Sequence, residues 1–242
     1  MTPTPTQTNI MASLRSFLLA VLPAGVAVVP AQQNLVPEPA VSDFVVMTPT
    51  RFERLATNVD SYADCKFTGS ISSTLLSVTA VAPGFPGSIA VGSTIVGPGV
   101  AAGTVVTALG TGTGGVGSYV VGTPQTVASG TLSAGTQTLA QSVEVTVQCD
   151  FHSANDTDAG DMAQAVSTML RDDFGVQQFA NQNPNYGISP LYADDPQQRP
   201  FINDQQMWEW RWVLEVKLQA VQVIIIPQQF ADQVQLGLVD VS

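Results

Sequence analysis

Polar and apolar positions alternate most cleanly near the C-terminus. In QMWEWRWVLEVKLQ, residues 206–219, Trp208, Trp210, Trp212, Leu214, Val216 and Leu218 share one side. Glu209, Arg211, Val213, Glu215, Lys217 and Gln219 share the other. A period of two marks a β-strand with one buried face. The run continues through AVQVIIIPQQ, far beyond the roughly 5–6 residues of a typical strand. Apolar residues move from even positions, up to Ala220, to odd ones from Val221 to Ile225. That change predicts a bulge or bend near Gln219–Val221 that exchanges the buried face. The first half reads as core, with Trp208, Trp210 and Trp212 anchoring beneath helices and each burying a large apolar area. The second half is apolar on both faces and suits a subunit contact through Val223, Ile224, Ile225, Ile226, Gln228, Gln229 and Phe230. On this reading a charge at Ile224 leaves a folded but unassembled protein, whereas a charge at Trp210 prevents folding.

Elsewhere the period changes. Ile10, Leu14, Phe17, Leu18 and Val21 recur at helical spacing and predict a short amphipathic helix. Gly25–Val29, Asp43–Thr48 and Val143–Phe151 read as strands. A second helix follows, with Asp156 or Asp158 as its cap and a stripe of Ala159, Met162, Val166 and Met169 or Leu170. Gly175, after Phe174, suits its C-terminal cap. Residues 176–206, with Pro184, Pro190, Pro196 and Pro200, read as loop.

Between Phe67 and Val143 the pattern breaks into short β-prone runs such as LLSVTAV, GTVVTALG and GSYVVG, punctuated by Gly and Pro. This stretch contains no charged residue and no histidine, and it holds 15 of the 20 glycines. It reads as an all-β module of five or six short strands. The flanks, 1–66 and 144–242, then form one α+β domain: a mixed or antiparallel sheet flanked by two main helices. SYADCKF runs into the module and QSVEVTVQCDF leaves it, so the module 67–143 is expected at the tip of a hairpin, with Cys65 near Cys149.

Composition narrows the function classes. Eight basic against 19 acidic residues give a net charge of −11, which repels nucleic acid because phosphate binding needs clustered Lys and Arg. Two cysteines are too few for a disulfide scaffold and read as reduced, partly buried thiols. The apolar run SFLLAVLPAGVAVVPA resembles a secretory signal, but only Arg15 precedes it and Pro23 and Gly25 divide it, so the amphipathic helix is the better account. No membrane-spanning run of 18 apolar residues free of Pro and Gly exists.

Candidate chemistry is sparse. GTGTGG at 110–115 matches a dinucleotide-binding pattern, but VGSYVVG after it is a strand and not the helix that would hold a pyrophosphate. Turn glycines explain it. DTDAGD at 156–161 resembles the start of a calcium loop, yet the twelfth position is Ser167 and not a bidentate Glu. Asn155 opens a glycosylation pattern that matters only in a secreted protein. His152 is the sole histidine, which removes His-based triads and two-His metal sites. Asp172-Asp173 and Asp194-Asp195 read as solvated pairs. No cofactor, metal or catalytic residue is expected.

One block is more specific. SPLYADDPQQRPFINDQQMWEWRWVLEVKLQ, followed by IIIPQQFAD, resembles the tail-terminator or neck-terminator proteins of tailed bacteriophages. Leu191, Tyr192, Asp195, Pro196, Pro200, Phe201, Asn203, Gln206, Arg211, Trp212, Pro227, Gln228, Gln229 and Phe230 carry the resemblance, and QSVEVTVQCDFHS with DAGDMAQAVSTMLRDDF is similar to the family's strand and helix. It covers roughly 8–66 and 141–236; the 67–143 segment departs from compact members and is similar to Gly/Thr-rich β-modules of other phage structural proteins.

The resemblance implies a virion structural protein, assembled in the host cytoplasm and located in the tail or neck. It implies a homo-oligomeric ring, a hexamer, that caps the tail tube at its head-proximal end. Partners would be tube protein, with sheath protein as a further candidate, and a head-completion or neck protein. DNA would pass an acidic lumen without specific binding, and no membrane is involved. Two other readings stay open: another neck or collar connector, and an extracellular adhesin or glycan-binding module. The module's only aromatics, Phe67, Phe85 and Tyr119, speak against the last.

Overall fold

The computed structural model describes residues 2–31, 43–154, 156–182, 184, 186–199, 201–202 and 208–228. The chain divides into two compact units: unit 1 is Met1–Asn58 with Ala140–Val223, and unit 2 is Val59–Leu139 with Ile224–Ser242.

Unit 1 begins with helix α1 (Gln7–Val21). Thr6 caps it reciprocally with Asn9, each side chain meeting the other's backbone N–H. Its Ile10, Leu14, Phe17 and Leu18 are fully buried, as their spacing predicts. Strand β1 (Ala27–Pro30) pairs in parallel with β2 (Phe44–Arg54), and β2 runs antiparallel to β5 (Gly117–Ser153). The sheet continues through β9 (Trp208–Pro227) to β6 (Ile188–Ala193), in the order β1-β2-β5-β9-β6. Short β7 (Gln197–Gln198) and β8 (Phe201–Ile202) also pair with β9.

Val145, Val147, Cys149 and Phe151 of β5 and Leu214, Val216 and Leu218 of β9 bury one sheet face against α1, α2 (Asp156–Leu170) and α3 (Asp173–Gln182). Each such aliphatic side chain contributes about 1.5–3 kcal/mol on burial. Phe17 of α1 and Phe179 of α3 add a ring contact at 5.3 Å, worth about 0.5–1.5 kcal/mol.

Unit 2 is built around Phe67, Ile71, Leu76, Val78, Ile89, Ile95, Val106, Tyr119, Val121 and Leu132. Strand β3 (Val59–Val81) doubles back at Ser73, a left-handed residue with φ 57°, so that Ala82 donates to the Lys66 carbonyl. Strand β4 (Val106–Leu109) pairs with β5.

Three expectations are corrected. Among the described residues the fold is predominantly β, 54% strand against 19% helix, with a mixed sheet and three helices, not a two-helix α+β fold. Strand length is the physical reason: β3, β5 and β9 run for 23, 37 and 20 residues. The stretch between the second helix and the long strand, read as loop, contains most of α3 and all of β6. Gly175 lies inside α3, where a Cβ would press on the Met169 carbonyl at 2.7 Å; it lets α3 approach the end of α2 and caps nothing. Lastly, Val143–His152 pairs with β2, and SYADCKF lies further along β5, where Gln137 reaches Asp60 and Tyr62. Cys149 therefore sits opposite Met47, and the two cysteines belong to different cores.

Candidate functional site

The Leu191–Asp195 segment is held from α2. The β6–β9 register slips between Pro190 and Tyr192, placing a bulge at Leu191. Pro190 is tolerated because β6 ends the sheet path and needs no further partner. Leu191 and Tyr192 turn outward, 42% and 48% exposed. Arg171, one residue past α2, fixes them. Its guanidinium lies 4.7 Å over the Tyr192 ring, its Nε donates to the Ala193 carbonyl at 2.6 Å, and an Nη donates to Asp195 at 2.9 Å. Ser167 adds a bond from its hydroxyl to the Asp194 carbonyl. Arg171 was not visible as functional from sequence, since a lone Arg after an apolar stripe makes no pattern. Beside this clamp, Thr168, Met169, Arg171, Asp172 and Phe174 line an open groove of about 400 Å³.

Arg211 lies on the opposite sheet face, with its Nε 3.8 Å from Asp150, whose carboxylate also accepts from Gln148. Its backbone carbonyl accepts from Arg199.

The tryptophans divide. Trp212 packs on the core beside Gly160 of α2, where an added Cβ would lie 3.1 Å from the indole. Trp210 is 37% exposed, so it is not the core anchor expected. Trp212 and not Trp210 packs on the core, while β8 pairs with β9 at Trp208 and Glu209 and β7 at Trp212 and Val213. The side chain of Trp208 falls outside the described residues, as do those of Phe201 and all of Pro200, Asn203, Gln206, Gln229 and Phe230. Pro196 is half-buried in the turn before β7.

Along the second half of β9 the expected exchange of faces does not occur. Even positions stay buried through Ala220, and the odd-position apolar residues Val221 and Ile225 are left 37% and 61% exposed. Val223, Ile224 and Ile226 are half-buried, and Gln228 donates its backbone N–H to the Gly135 carbonyl. The strand keeps its register because Thr4 exchanges two backbone bonds with Val223, in line after the pairing of β6 with Ala220.

The GTGTGG loop wraps Tyr119. Gly114 donates to the tyrosine hydroxyl, which donates to the Gly115 carbonyl at 2.6 Å, and a Cβ on Gly112 would strike the ring. Phe67 is buried as well, and Lys66 covers Phe85 at 4.7 Å, leaving no exposed aromatic platform on these three residues. DTDAGD is the first turn of α2, and its cap position, Asn155, lies outside the described residues. His152 is buried and stacked on Phe44 at 4.5 Å. Burial pushes both thiols above their ordinary range, and Asp150 adds to the effect at Cys149. Among the described residues no three or more His, Cys, Asp or Glu side chains are grouped to hold a metal, and no helix is long and apolar enough to cross a membrane.

Residues 110–240 match the family described as phage neck terminator protein. No curated protein matches the chain. The family match takes in all of β5, α2, α3 and β6 to β9, so it begins earlier than residue 141, and it covers more than half of the 242 residues. The chain belongs to the phage neck terminator family, and its role is structural, in the tail or neck of the virion.

Proposed function

Starting from that membership, we propose that copies of this protein form a hexameric ring at the head-proximal end of the phage tail, capping the tube and joining it to the neck or head-completion proteins. The family match over 110–240 carries this reading. Support comes from β9, where Val221 and Ile225 stand 37% and 61% exposed. Apolar groups left in water on a rigid strand are suited to a partner surface. The segment Val223–Phe230 is the candidate subunit interface, and Leu191, Tyr192 and Arg211 belong to the motif segment that shapes the unit.

The role is assembly and not catalysis, and no cofactor is invoked. Tube protein, with sheath protein where the tail contracts, meets one side of the ring. DNA passes an acidic lumen, which a net charge of −11 permits, without being gripped. The uncharged stretch 67–143 is an inserted module that decorates the ring or touches a neighbouring protein. Assembly takes place in the host cytoplasm.

Electron microscopy of particles made without this protein tests the role. Tails of uncontrolled length, or finished tails that fail to dock on heads, are expected. Tails of normal length already joined to heads would rule out the terminator role, and a defect confined to the collar would favour the connector reading instead.

A further inference from the structure

A closed ring joins two different surfaces of each copy, and unit 1 carries a pair that complement one another. The first is the groove at the α2–α3 junction. Met169 and Phe174 supply its apolar wall, with Phe174 41% exposed. Asp172 lines its rim, Asp173 follows as the first residue of α3 and accepts from Gln177, and the lining cation, Arg171, is already engaged by Asp195 and Tyr192.

The second surface is the far end of β2. Residues 51–55 are exposed on both sides of the strand, with Phe52 at 44% and Leu55 at 45%. Arg51 pairs with Glu53 at 2.7 Å. Among the described residues Arg54 donates to neutral acceptors, the Ala56 carbonyl and the Asn58 side-chain oxygen, and makes no ion pair. β2 and β6, the strand clamped by Arg171, are separated in the sheet by β5 and β9, so the two surfaces of one copy do not satisfy each other.

We propose that Phe52 and Arg54 of one copy dock into the α2–α3 groove of the next, with the phenyl ring against Met169 and Phe174 and the guanidinium facing Asp173. The occupant is a second copy because the cation and exposed aromatic of one copy complement the acidic rim and apolar wall on another, a local attraction that offsets the repulsion between copies of net charge −11. A groove of about 400 Å³ falls in the range that takes a compact apolar group with a few polar contacts. The inference rests on the ring reading and adds to the β9 segment a second contact between neighbouring copies.

Sedimentation of the full-length chain, with tail tube protein present, tests it. The unsubstituted protein assembles. Arg54→Glu and Asp173→Arg each weaken association by roughly tenfold or more, and the double variant regains it, as expected for a reversed charge pair. Phe52→Ser loses assembly with an unchanged circular dichroism spectrum. Rings that form equally well in Arg54→Glu and Phe52→Ser would overturn the contact while leaving the ring reading intact. So would single variants that fail without rescue in the double, or variants that form rings but no longer bind a head-completion protein. An unsubstituted protein that stays monomeric overturns both.

Discussion

Tyr119 shows what the glycines of unit 2 do. Its hydroxyl is held between Gly114 and Gly115, and its ring fills the space that a side chain on Gly112 would need. Because the ring is fully buried it has nowhere to retreat. Gly112→Ala should therefore cost about 1–3 kcal/mol by overpacking, read as a lower denaturant midpoint. An unchanged midpoint would mean the loop does not pack on the ring. Cys149 makes the opposite point, that a reactive group can be silenced by its site. Burial and the neighbouring Asp150 raise its pKa, and burial raises that of Cys65. The folded state thus favours both neutral thiols, a contribution fully present below the ordinary thiol pKa and lost as pH rises above it. At pH 8 a thiol reagent should leave both native cysteines unmodified while labelling the unfolded chain completely. Rapid labelling of the native protein would contradict their burial.

At the scale of elements, Asp172 and β9 carry the sharpest expectations. Asp172 accepts the Phe174 N–H and so caps α3, whose Phe179 is fully buried against α1. Asp172→Ala should lower stability by about 1 kcal/mol, measurable as a fall in Tm. A Tm that does not move would show that the cap contributes nothing. On β9 the exposed residue is Ile225, whereas Ile224 is half-buried. Ile225→Asp should leave the circular dichroism spectrum and Tm unchanged while reducing assembly; loss of folding would show that Ile225 belongs to a core. Helix α1 was legible in the sequence because nothing interrupts the spacing of Ile10, Leu14, Phe17 and Leu18. In the sequence β5 shows as a strand from Val143 to Phe151 and before that only as short β-prone runs such as GSYVVG, because Ser, Thr, Gln and Gly in its earlier half erase the apolar alternation while the backbone stays extended. α3 was hidden by Gly175, which looks like a stop, and β6 by Pro190, which an edge strand accommodates. The motif segment was visible as a string of residues, but its clamp was not, since Arg171 acts across 24 positions of sequence on Asp195.

For the whole molecule, charge is distributed unevenly. Residues 67–143 carry none, while the flanking segments carry all 8 basic and 19 acidic groups. Self-repulsion from such a surface opposes assembly through charged faces and favours contacts where apolar or complementary groups meet. Family membership places the chain in the phage tail or neck, and the proposed ring turns that placement into a stoichiometry. The mass of the purified full-length protein in solution, with and without tail tube protein, tests that claim most directly. A discrete species of six times the 25.4 kDa chain mass is expected, formed alone or on addition of tube protein. A stable monomer that forms no ring under either condition would contradict it.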